Sequence, residues 1–171
     1  MKHTLSVTVQ NKPGVLSRVA GLFSRRGYNI ESIAVGTTEN PELSRMIIVV
    51  DGETCNVESI IKNLHKLIEV LKVHDLTEES MIDRELALVK VKADATNRTE
   101  ILQIVQIFRA NVVDVSEHSV VIELTGDEGK VDAMLNLLQP FGIKELVRTG
   151  VIAMARGNRA VTSGIRSRII A

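Results

Sequence analysis

The sequence predicts an α+β protein of two ferredoxin-like βαββαβ sandwiches in tandem, and three observations predict it. Apolar residues alternate with polar ones in some segments and recur at three- and four-residue spacing in others. The resulting order of strand, helix, strand, strand, helix, strand occurs twice, and a polar, acidic stretch separates the two occurrences.

The first unit covers residues 1–76. From His3 to Gln10, Leu5, Val7 and Val9 alternate with Thr4, Ser6 and Thr8, which predicts a strand buried on one face only. Asn11-Lys12-Pro13-Gly14 interrupts it. Val15, Leu16, Val19, Ala20, Leu22 and Phe23 then follow helical spacing opposite Arg18, Arg25 and Arg26, and Gly27 stands where a helix commonly ends in a left-handed residue. Two extended runs, Asn29 to Thr37 and Leu43 to Val50, flank a loop with Asn40-Pro41 that suits a hairpin. Val57, Ile60, Ile61, Leu64 and Leu67 form a second helical stripe, and Val70 to Leu76 closes the unit as a strand.

Residues 77–83 read as a linker, and residues 84–158 repeat the order. Leu86 to Val91 is a strand; Ile101, Leu102, Ile104, Val105 and Phe108 mark a helix; Val112 to Val115 and Val120 to Leu124 are strands. Val131, Met134, Leu135 and Leu138 mark the last helix, and Ile143 to Val147 the last strand. Phe23 and Phe108 hold equivalent places, which identifies a diverged internal duplication. Residues 159–171 read as a basic tail, the last sixteen residues holding four Arg and no acid.

Composition removes several function classes. The net charge is zero and only Phe23, Tyr28, Phe108 and Phe141 are aromatic, which leaves neither long-range attraction for phosphate backbones or anionic membranes nor stacking platforms for bases. An RNA-binding module of the same βαββαβ order needs aromatic residues on its first and third strands, where this chain has Leu5 to Val9 and Arg45 to Val49. No helix-turn-helix segment accompanies the units, against a transcriptional regulator. The single cysteine, Cys55, excludes an internal disulfide and fits a reducing compartment. The longest apolar runs, Met46 to Val50 and Val151 to Ala155, fall far short of the roughly 20 residues of a membrane helix, and no signal-peptide stretch follows Met1-Lys2-His3-Thr4. A cytoplasmic protein is expected.

Catalytic constellations do not emerge. Gly126-Asp127-Glu128-Gly129-Lys130 has two residues between its glycines where a phosphate loop needs four. Ser59 and Lys62 match an S-x-x-K spacing without its companion motifs. His3, His65, His74 and His118 are scattered and lack metal-ligand spacing. Cys55 stands near a helix start, where partial positive charge would lower its pKa, but no nucleophilic partner accompanies it.

Asn11-Lys12-Pro13-Gly14-Val15-Leu16 has a more specific physical offer. It leads from a strand end into a helix N-terminus, where unpaired N–H groups attract a carboxylate and Gly14 permits close approach to the backbone. Asn11 can accept from an ammonium and donate to a carboxylate, so the motif suits a zwitterion better than a phosphate. The same segment also reads as a plain helix-capping loop.

The run from Asn11 to Val19, with Phe23-Ser24-Arg25-Arg26-Gly27-Tyr28-Asn29-Ile30-Glu31-Ser32 and Leu43-Ser44-Arg45-Met46, closely resembles the small regulatory subunit of acetolactate synthase, and the first half resembles its ACT domain. The resemblance continues through Glu85 to Val91, Ile107-Phe108-Arg109-Ala110, Val113-Asp114-Val115 and Arg148-Thr149-Gly150, to about Asn158. It implies a non-catalytic subunit of branched-chain amino acid biosynthesis that activates a large catalytic subunit and confers feedback inhibition by valine, with leucine or isoleucine as weaker effectors. Thiamine diphosphate, magnesium and FAD are implied for the large subunit and no cofactor for this one. The resemblance also implies a homodimer through the ACT domain with the effector between two copies: Asn11, Gly14, Val15 and Leu16 from one, Asn29 and Ile30 from the other. The second domain has Asp94-Ala95-Thr96-Asn97 in place of the Pro-Gly loop, which assigns it to large-subunit contact and activation.

Overall fold

The computed structural model describes residues 1–158 together with 160 and 165; the rest of the expected basic tail lies outside the described residues. The chain divides into two units, one of Met1–Ile82 with the described residues from Val151 onward, the other Asp83–Gly150.

In the first unit the elements are β1 (Lys2–Gln10), α1 (Val15–Arg26), β2 (Ser32–Thr37), β3 (Leu43–Asp51), α2 (Val57–Leu64) and β4 (Val70–Asp75). The strands form an antiparallel sheet in the order β2-β3-β1-β4. Leu5, Val7 and Val9 of β1 and Met46, Ile48 and Val50 of β3 share one face, onto which α1 sets Val15, Val19, Leu22 and Phe23, and α2 sets Ile60 and Leu64. Each such fully buried aliphatic or aromatic side chain contributes about 1.5–3 kcal/mol.

The second unit repeats this plan with β5 (Met81–Lys92), which starts at the end of the first unit, α3 (Arg98–Ile107), β6 (Asn111–Val115), β7 (Ser119–Gly126), α4 (Glu128–Leu138), a 3-10 turn at Gln139–Phe141 and β8 (Ile143–Arg148). Its sheet order, β6-β7-β5-β8, matches the first unit strand for strand, so the expected tandem of ferredoxin-like α+β sandwiches is what forms. The duplication extends to irregularities. Register shifts fall between Thr8 and Val9 where β1 meets β4, and between Lys90 and Val91 where β5 meets β8. Both first helices also end in the same hydrogen-bonded cap. Gly27 N–H reaches the Ser24 carbonyl and Tyr28 N–H the Phe23 carbonyl; Arg109 N–H reaches the Gln106 carbonyl and Ala110 N–H the Val105 carbonyl. That cap aligns Phe23 with the buried Val105 and not, as the sequence suggests, with Phe108, and it needs a left-handed residue, with φ 68° at Gly27 and φ 53° at Arg109. Glycine takes this conformation freely, whereas an L-residue pays about 1 kcal/mol or more in strain.

Glu85, 4% exposed, is held by Arg148 of β8, whose Nε donates at 3.0 Å to one carboxylate oxygen and whose second amino group donates to the other. Arg148 Nη1 also donates to Asp132 of α4 at 3.0 Å. Hydrogen bonding to Glu85, with the charges of Glu85 and Asp132, raises the guanidinium pKa further despite burial.

Two features differ from the sequence expectation. β1 is buried on both faces: Thr4, Ser6 and Thr8 are as inaccessible as the apolar residues between them. A further strand, β9 (Ile152–Ala155), accounts for part of this, lying against β1 within the first unit. There Ala153 joins Ile47 and Leu76 in a small apolar cluster, with Met81 and Ala155 packed against it, and Val151 N–H donates to Ser32 Oγ at 2.9 Å. β9 pairs with β5, and Arg156 donates to the carbonyls of Ser80 and Met81. Residues 151–155, read from sequence with the second domain, thus complete the first.

Candidate functional site

The connection from β1 to α1 is tied down on two sides. Asn11 N–H donates to the Glu42 carbonyl at 2.7 Å and Asn11 Nδ2 to the Pro41 carbonyl at 2.9 Å, which fixes the loop to the β2–β3 turn. Gln10 N–H donates to the Glu69 carbonyl at 2.9 Å, and the Glu69 carboxylate accepts from Arg18 of α1, which fixes it to the turn before β4. Gly14 precedes the helix with φ 83°, and a Cβ built there meets nothing within 4 Å. No side chain caps this helix and no acidic residue lies in its first turn. Arg18 N–H makes the first helical bond, to the Gly14 carbonyl at 3.0 Å, so the Leu16 and Ser17 N–H groups have no intrahelical acceptor. Partial positive charge collects at this exposed end.

The entries of α2 and α4 are satisfied by side chains, whereas α3, like α1, has no side-chain cap. Asn56 accepts from Ser59 N–H ahead of α2, and Asp127 accepts from Lys130 N–H at α4. Ahead of α3, where the duplication places the counterpart of the Gly14 loop, Asp94 accepts from Thr96 Oγ, from Thr96 N–H at 2.8 Å and from Asn97 N–H at 3.3 Å. Those bonds, the hydroxyl of Thr96 foremost, hold the Asp94 carboxyl below its ordinary pKa.

The residues singled out from sequence fall as follows. Asn11, Gly14 and Leu16 are exposed at the entry of α1, with Asn11 Nδ2 already engaged and Oδ1 left to accept. Val15 is buried in the core, so only its backbone faces the entry. Asn29 and Ile30 precede β2 in a non-strand segment and not at a strand start: pairing with β3 begins at Ser32. Asn29 is exposed and donates to Glu31 Oε1 at 3.3 Å, while Ile30 leans on the core. Among the described residues of one chain no hydrogen bond joins these two to the loop, and they do not complete a site there. Sequence reading missed Pro41, Glu42 and Glu69 as supports, because carbonyl acceptors leave no residue-type signal; only Asn40-Pro41 as a turn was visible.

The remaining candidates do not assemble. Cys55 Sγ donates to the Asp51 carbonyl at 3.0 Å, and burial, with the nearby Asp51 carboxylate, pushes the thiol pKa up, opposite to the lowering expected from a helix end. Among the described residues no three His, Cys, Asp or Glu side chains gather into a group able to hold a metal ion, and no helix is long and apolar enough to cross a membrane.

Residues 5–72 match the ACT domain of the AHAS small subunit-like type, and residues 84–157 match the small subunit of acetolactate synthase. A probable acetolactate synthase small subunit of Archaeoglobus fulgidus is 58% identical over 159 residues, 93% of this chain and 99% of that protein. The acetolactate synthase small subunit of Mycobacterium bovis is 53% identical over 159 residues, 93% of this chain and 95% of that one. The crystal structure of the Thermotoga maritima acetolactate synthase small subunit superposes with a TM-score of 0.83 at 46% identity, covering 93% of this chain and 99% of the other. On sequence over both units and on fold, the chain belongs to the acetolactate synthase small subunit family.

Proposed function

We propose that this chain is the regulatory subunit of a cytoplasmic acetolactate synthase, that it activates the large catalytic subunit, and that valine bound at its first unit makes the assembled enzyme feedback-sensitive in branched-chain amino acid biosynthesis. Family membership and the ACT-type first unit support the regulatory role. The observation that carries the effector site is the unclosed entry of α1, where a left-handed, uncrowded Gly14 stands before backbone donors that no side chain of the helix's first turn caps. A free amino acid's carboxylate fits those donors, and Asn11 Oδ1 suits its ammonium.

In this reading the pocket is two-sided. Asn11, Gly14 and Leu16, with the backbone of Val15, come from one copy, and Asn29 and Ile30 from a second, as in a homodimer through the ACT units. β2 supports it: it is an edge strand whose six residues pair with β3 without interruption, leaving its outer edge regular enough to meet another copy. Leu16 and Ile30 would then flank the branched aliphatic side chain of valine, with leucine or isoleucine as weaker effectors. Thiamine diphosphate, magnesium and FAD chemistry belongs to the large subunit, and the second unit serves contact and activation.

The test is reconstitution with a purified large subunit and a valine titration. Activation by this chain, inhibition by valine and no turnover by this chain alone are expected; turnover by the chain alone, or no effect on the large subunit, would overturn the proposal. Sedimentation should show a dimer, and a monomer at micromolar concentration with valine present would remove the two-sided pocket.

A further inference from the structure

We infer that the end of α3, with Ile107 and Arg109, anchors this chain on the large catalytic subunit, an inference that rests on the proposal that the second unit is the partner-contacting half. Arg109 is the one non-glycine residue with positive φ among the described residues, and its structural counterpart in the first unit is glycine. The fold at this point needs only a left-handed cap, which Gly27 provides without strain, so the arginine side chain is not there for the cap. Nor does it stabilise the unit by another route. It is exposed, and among the described residues it makes no hydrogen bond or ion pair, although the unit holds eleven acidic side chains over residues 83–150.

Two residues earlier Ile107 is 75% exposed. It projects about half a turn round the helix from Val105, which lies in the core. An unpaired guanidinium two residues from an exposed aliphatic side chain, at the end of one helix, is the composition of an interface anchor: the fork takes a carboxylate in two parallel hydrogen bonds while the aliphatic group fills a separate apolar socket. The occupant is therefore a surface of the large subunit that presents an Asp or Glu beside an apolar depression. Bound there, the carboxylate compensates a conformation that the isolated chain holds at a cost.

The experiment uses the full chain and the purified large subunit, with thermal unfolding of the small subunit and its affinity for the large one measured for each variant. Arg109→Gly is expected to raise the melting temperature by about 2–4 °C by releasing the backbone strain, while weakening association at least tenfold. Ile107→Ser is expected to weaken association similarly with an unchanged melting temperature. A purely structural arginine would give the opposite pairing, so an Arg109→Gly chain that melts lower, or one that binds as tightly as the parent, overturns the inference and leaves the regulatory reading standing. Failure of the parent chain itself to bind the large subunit overturns that reading.

Discussion

The loop before α1 and the loop before α3 hold the same place in two copies of one fold and differ in the turn that leads into the helix, although neither helix has a side-chain cap. Before α3 the chain supplies its own carboxylate, and Asp94 takes up N–H groups of Thr96 and Asn97. Before α1 there is no such side chain, the residue at the turn is a left-handed glycine, and the donors of the first turn stay open. Edge strands diverge in parallel. β2 pairs with β3 in unbroken register, whereas β6 carries an irregularity between Val112 and Asp114 that leaves Val113 without a partner on β7. Duplication preserved sheet order, helix placement and even the register shifts; what changed is the turn before the first helix and the outer edge strand. One unit has Asp94 in that turn and an irregular edge, the other a left-handed glycine and a regular edge.

The sharpest way to break this contrast is to give the first loop the feature of the second. Gly14→Asp places a carboxylate at the open helix entry, where it competes for the donors and repels the effector. Valine affinity should fall more than a hundredfold, about 3 kcal/mol, in a binding titration, with activation of the large subunit retained. The open space round Gly14 makes this a test of the site and not of folding, since only backbone strain is added. Unchanged valine sensitivity would place the pocket elsewhere.

Next in size, Arg148→Ala should destabilise the second unit alone. It leaves Glu85 buried without its cation, at a cost of about 2 kcal/mol by denaturant titration. A loss in the first unit as well would show that the units do not unfold separately. Gly27→Ala should cost about 1 kcal/mol, because it installs in the first helix cap the strain that Arg109 already imposes on the second. No change on substitution would mean that the two caps are not equivalent.

The smallest effect concerns acid. Burial tends to raise the Asp75 pKa, but hydrogen bonds from Thr77 Oγ and N–H, and then from His3, outweigh it and hold the carboxyl below its ordinary value of 3.8. A folded-state pKa below the unfolded one stabilises the fold above about pH 4, and this contribution disappears as pH falls through the depressed value. The first unit should therefore lose stability on acidification below that point, and Asp75→Asn should flatten that part of the curve.

Most of the fold was legible because its signals are local. Alternation placed β1, helical spacing placed α1 and α2, and the repeated order gave the second sandwich. β2 begins at Ser32 and not at Asn29 because pairing with β3, a non-local property, decides where a strand starts. The polar alternation in β1 concealed burial of its second face, since Thr and Ser are small enough to pack beneath a covering strand. The Val151 to Ala155 run stands out in the sequence for its length, but nothing in it says which sheet it covers. Of the candidate site, the glycine and the open helix entry could be read directly, whereas the carbonyls of Pro41, Glu42 and Glu69 that hold the loop could not.

The return of β9 to the first unit has a consequence in time. A ribosome releases Leu76 long before Ala153, and at about 5–20 residues per second the interval is roughly 4–15 s. The second unit gains its last strand just before the interval ends, and throughout it Ile47 and Leu76 lack the strand that covers them in the finished protein. The half that is made first is thus completed last, and a nascent chain stalled between the two would carry an exposed apolar sheet face as a substrate for chaperones.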